Sequence, residues 1–213
     1  MAQSISLKDA ERKAFITKTN DGLWDIFLGG YFLMFVIVLY LGPVLGDFWS
    51  SVMFLPYFAL AYLAIWLIRK YVVTPRVGIV KFGLVRKAKL AKFTVVMVAI
   101  NTSALILGIL AVISFGKVPG QIYPIILGMI LLTGFSLAAF FLDYNRLYIY
   151  GLLVGFSPIV GEWLWNQGYA SHHGLPITFG ISGGIMILVG LVVFIQFLGD
   201  NPLPIEDSPA EKA

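Results

Sequence analysis

The 213-residue chain is 59% hydrophobic and only 12% charged, whereas soluble domains run at about 45–50% apolar and about 25% charged. So much apolar surface excludes an ordinary water-soluble globule. The net charge of +4 does not point to nucleic acid, because the basic residues sit beside long apolar runs, where they set membrane orientation. The absence of cysteine excludes disulfides, thiolate metal ligands and cysteine nucleophiles.

Residues 1–25 are polar and mixed in charge, with no early apolar core of a cleavable leader, and read as a frayed cytoplasmic tail. Asp21 or Asn20 is placed to cap the first helix, since a short polar side chain can take a free amide of the first turn. A hydrocarbon core of ~30 Å needs roughly 20 apolar residues per helix. Segments 26–45, 48–68, 93–115, 121–142, 147–165 and 175–198 meet that requirement, which predicts an all-α membrane bundle of six spans within residues 26–198. Gly42-Pro43 and Gly46-Asp47 are expected to break the first helix, and Pro56 to kink the second. The acidic, proline-bearing segment 199–213 reads as a disordered cytoplasmic tail.

Between the second and third spans lies a basic bridge, 69–92, carrying Arg69, Lys70, Arg76, Lys81, Arg86, Lys87, Lys89 and Lys92 and no acid. Thr74-Pro75 should end any helix, since the residue before proline avoids helical angles. The β-branched run 77–82 should then be extended. With both termini in the cytoplasm, fourteen basic residues fall on that side and only Lys117 on the other. Lys/Arg bias therefore selects this orientation. The eight bridge residues are also candidates to hold anionic lipid headgroups; their plainer role is to set topology.

Asp21–Gly29 (DGLWDIFLG), followed by a hairpin and Thr74–Phe82 (TPRVGIVKF), resembles an uncharacterised family of small prokaryotic polytopic membrane proteins. The resemblance covers under a third of the chain. It implies a small multi-pass membrane protein of unestablished role and supplies no catalytic residue.

Two glycine pairs spaced by four, Gly151/Gly155 and Gly180/Gly184, suggest close packing of the fifth span on the sixth, or of these faces between two copies of the chain. Three polar groups stand out as sites. Glu162 with His172 and His173 could hold a divalent metal, against the plainer reading of an interfacial carboxylate beside a polar loop. Asp143, Asn145 and Arg146, with Asp25, could mark an ion or substrate path, or simply form a capped turn. Asn101, Thr133 and Ser136 could line a polar path, or bond between helices. No GxGxxG, Walker A, HExxH or GxSxG pattern is present. The resulting expectation is a non-enzymatic accessory, assembly or lipid-interacting protein of the cell membrane. It needs no cofactor, and its partners are membrane lipids and another membrane protein or a second copy. A small transporter or channel is the alternative, and a metal-dependent enzyme is a third reading.

Overall fold

The computed structural model describes residues 20–78, 84–113 and 122–203. Among them every regular element is helical, and six helices are long and apolar enough to cross a membrane. Helix α1 is Leu23–Leu45 and α2 is Asp47–Val52. Helix α3, Phe54–Ile68, continues through a π-helical turn, Arg69–Val73, into α4, Thr74–Val77. Then come α5 (Leu84–Ile113), α6 (Ile122–Leu142), α7 (Arg146–Asn166), a 3-10 turn (His172–Gly174) and α8 (Leu175–Asp200).

Several local expectations need correction. Helix α1 runs through Pro43 and ends only at Gly46, whose φ of 83° suits glycine alone. A proline so close to a helix C-terminus costs only one ladder bond. The second span is interrupted at Met53, three residues before Pro56, where the ring would crowd the preceding turn.

The bridge is largely helical, not a 24-residue loop. Thr74 donates from both its backbone amide and its hydroxyl (2.8 Å) to the Arg69 carbonyl. That wide turn lets the chain carry Pro75 without ending the helix. Residues 84–92 belong to α5, as suits lysine, arginine and alanine, all good helix formers. The expected extended run reaches only Val77, which is helical, and Gly78; the rest of it, with Lys81, lies outside the described residues. So do Lys117, residues 1–19 and the tail from 204.

The glycines pack differently from expectation. A Cβ on Gly151 would meet Phe135 at 2.9 Å, and one on Gly155 would meet Leu132 and the Gly128 carbonyl, so this pair seats α7 on α6 rather than on α8. On α8 the close positions are Gly183 and Gly190. A Cβ on Gly29 would lie 2.5 Å from the Gly183 carbonyl oxygen, and one on Gly183 would lie 2.8 Å from that of Gly29. Gly22 and Gly190 face each other in the same reciprocal way. The pairings run in opposite directions along the two chains, so α1 and α8 are antiparallel and touch backbone to backbone. Gly180 and Gly184 have no such neighbour.

These two glycine-seated pairs, α1 with α8 and α6 with α7, meet around one core: Phe32, Ala139, Tyr144, Leu147, Tyr150, Val154, Phe179 and Met186. Phe32 sits at its centre, its ring 5.2 Å from Phe179 and 6.2 Å from Phe135. Aromatic pairs at such separations add about 0.5–1.5 kcal/mol beyond their burial. Helices α7 and α8 are tied by buried hydroxyls, Ser157 and Ser182, 3.0 Å apart. Replacing Ser157 with alanine should cost roughly 0.6 kcal/mol, the average for interhelical hydrogen bonds in membrane proteins, and thermal unfolding in detergent would read it.

Helices α3 and α5 are peripheral. Helix α3 has no buried residue and leans on α1 through Phe27, Tyr31, Phe54 and Phe58. Helix α5 touches α6 along one side, and none of its described side chains is buried.

Candidate functional site: a buried acid pair at the basic end

Residues from five parts of the chain converge at one end of the bundle. Gly22 adopts a left-handed turn (φ 79°) against the backbone of Gly190, which places Asp21 and Asp25 on the inner side of α1. Both carboxylates are fully shielded from solvent. Asp21 Oδ1 accepts the Leu23 amide at 3.1 Å, so Asp21 does the capping work expected of it, one residue outside the cap position. Burial pushes its carboxyl above the usual range, and Arg69 pulls it back. The Arg69 guanidinium donates to both carboxylate oxygens, from Nε at 3.2 Å and Nη2 at 3.1 and 3.3 Å. Its other face lies 5.1 Å above the Trp24 ring.

Asp25 is held from the far side of the sequence. Its Oδ1 accepts the Tyr144 hydroxyl, and its Oδ2 lies 3.3 Å from Arg146 Nη2. Arg146 also donates to Tyr144 Oη at 3.0 Å and to Asn20 Oδ1. Burial, and then the Asp25 charge, push the Tyr144 hydroxyl far above its ordinary range, so it stays a donor. Tyr144 reaches this position because Asp143 adopts a left-handed conformation (φ 52°) and the Tyr144 amide closes back on the Ala139 carbonyl. The Tyr150 hydroxyl is buried and has no hydrogen-bond partner among the described residues. Asp143 itself pairs with Lys89 at 3.0 Å, drawing the start of α5 to the same end.

Chemically, each buried acid faces one arginine, and the two pairs clasp α1 to the π-turn and to the start of α7. Of the four residues named from sequence as a polar turn, Arg146 and Asp25 do join, while Asp143 turns to Lys89. Asp21, Arg69 and Tyr144 were not expected there. The available cue was the pair of acids, Asp21 and Asp25, at the entry to an otherwise apolar span.

The eight bridge residues separate by environment. Arg69 and Lys89 are committed to Asp21 and Asp143, and Arg76 donates to the Val72 carbonyl at 2.7 Å. Lys70, Lys87 and Lys92 are exposed, with Lys70 Nζ lying 5.0 Å over Trp66 and 5.2 Å over Tyr71. Lys81 and the Arg86 side chain lie outside the described residues.

At the opposite end His173 Nδ1 lies 2.8 Å from Glu162 Oε2, and its ring is 5.0 Å from Trp165. His172 is directed elsewhere, to Ser171 at 3.1 Å and the Tyr40 ring. Adjacent left-handed residues (φ 50° and 53°) point the two imidazoles apart. The candidate metal triad, set in the sequence against a plainer interfacial carboxylate beside a polar loop, is therefore not assembled. Among the described residues, no three histidine, aspartate or glutamate side chains gather closely enough to hold a metal ion.

The candidate polar path does not converge either, and the interhelical bond that was its plainer alternative for Asn101 is not made among the described residues. Asn101 is exposed and donates at 2.8 Å to the Met97 carbonyl of its own helix. Thr133 lines an open cleft of about 400 Å³ between α5 and α6, with Ala99, Ile100, Ser103, Met129 and Ile130. Ser136 is half-buried on α6 and is not part of that lining.

No family model, no curated protein and no solved structure matches this chain. What fold and site define is a class: an all-helical protein with six helices able to cross a membrane and a buried acid–arginine clasp at one end.

Proposed function

We propose that this chain is a non-enzymatic multi-pass protein of the cell membrane, an accessory or assembly subunit whose basic end lies in the cytoplasm and holds anionic lipid headgroups. One observation carries the reading. Acids neutralise Arg69, Arg146 and Lys89 internally, while Lys70, Lys87 and Lys92 at the same end stay exposed. Trp66 and Tyr71 flank Lys70, and such amphipathic rings favour the headgroup level. Transport is less well supported. Reciprocal glycine contacts press α1 onto α8 and α6 onto α7, which argues against a solute path within either pair.

The test uses the full chain in nanodiscs of equal phosphatidylglycerol and phosphatidylcholine, with bound lipid read by native mass spectrometry. At about 1 kcal/mol per basic residue near the surface, Lys70→Gln/Lys87→Gln/Lys92→Gln should lower the preference for phosphatidylglycerol by roughly 100-fold. A parent chain with no such preference, or a triple variant that keeps it, would overturn the proposal. Labelling of Lys87→Cys by an impermeant maleimide on sealed cells should fail; success would reverse the orientation.

A further inference from the structure

We propose that α5 pairs with α5 of a second copy of this chain, along the face that carries Asn101. The inference rests on the bilayer placement proposed above. Thr94, Val98, Asn101 and Leu105 recur four, three and four residues apart and are all exposed. That 3.5-residue period is the spacing of a coiled-coil seam. The side of α5 that touches α6 is a different one, bearing Ile100.

Asn101 makes this face more than an apolar stripe. It lies about 12 Å beyond Phe93 along the helix, by the rise of 1.5 Å per residue, and so well inside hydrocarbon in a spanning α5. Its amide spends one N–H on the Met97 carbonyl at 2.8 Å. Asn101 is exposed, and among the described residues its second N–H and its side-chain oxygen have no partner. Acyl chains offer neither donor nor acceptor, so lipid leaves those groups unsatisfied.

A second copy satisfies them for two reasons. All copies insert with one topology, so a two-fold axis between them lies along the membrane normal. Each seam residue then meets its own counterpart at the same depth. An amide is also both donor and acceptor, hence complementary to itself across such an axis. A single asparagine in an apolar seam sets register and partner number in just this way.

The chain contains no cysteine, so single cysteines report directly. Val98→Cys and Leu105→Cys, oxidised with copper phenanthroline in native membranes, should each give a band of twice the chain mass. Leu152→Cys, exposed on α7, should not. Adding Asn101→Leu to Val98→Cys should weaken association roughly 3- to 20-fold, the span of measured interhelical hydrogen bonds, whereas Asn101→Gln should retain most of it. Monomer at positions 98 and 105, a cross-linked band of any other mass, or linkage undiminished by Asn101→Leu would overturn the proposal. The same membranes are washed with alkaline carbonate: a chain that stays in the pellet yet does not cross-link sinks only the dimer, while one that washes off sinks the membrane reading itself.

Discussion

Arg146→Met should cost the bundle about 3–5 kcal/mol, the range found when one partner of a buried ion pair is removed. The reason lies in what is left behind. Asp25 has no solvent exposure, and its Oδ2 lies 3.3 Å from the guanidinium with no hydrogen-bond donor of its own. Without Arg146 that carboxylate faces no cation among the described residues, and only hydroxyl donation such as that of Tyr144 remains to it. The comparison that isolates the effect is Asp25→Asn/Arg146→Met, in which no charge is left uncompensated. Thermal unfolding in detergent should place the double variant closer to the parent than the single one. Equal destabilisation in both would mean that packing of the arginine stem, not charge, holds this corner.

Gly29→Val should be comparably damaging, and Gly184→Ala should go the other way. At Gly29 the added carbon meets the Gly183 backbone from 2.5 Å, and a carbonyl cannot swing aside as a side chain can. The helices must separate along the whole seam, which exceeds the 1–3 kcal/mol usual for overpacking at a single site. At Gly184 no atom lies within 4 Å. There alanine only relieves the conformational freedom of a helical glycine, a gain of up to ~1 kcal/mol. Opposite signs at two positions on neighbouring spans would establish which glycines carry the packing. Equal effects would refute the seam described above.

Hydropathy and length were enough to read six helices, because lipid-scale apolar runs have few alternatives. Partner choice was not legible. A four-residue glycine spacing says that some backbone can approach, not whose, so Gly151 and Gly155 were assigned to the wrong neighbour. The seam that does form uses a seven-residue spacing, Gly22/Gly29 against Gly183/Gly190, and two residues of it were hidden in ordinary turn and helix contexts. Pro75 misled for a similar reason. Proline predicts a stop, but a π-turn absorbs it, and only the Thr74 contacts to the Arg69 carbonyl reveal that. Asp21 and Arg69 are 48 residues apart and Asp25 and Tyr144 are 119 apart. Nothing local connects them. The basic end, by contrast, was visible as a charge pattern, and what the structure adds is which of its cations are spent inside.

The antiparallel seating of α1 on α8 has a consequence for biosynthesis. Helix α1 leaves the ribosome well before α8, so it finds its backbone partner only when α8 emerges. Until then Asp21 can meet Arg69 early, but Asp25 must wait for Arg146. Assembly is therefore ordered: the α6–α7 hairpin can close by itself, and the arrival of α8 is the event that locks the nascent bundle.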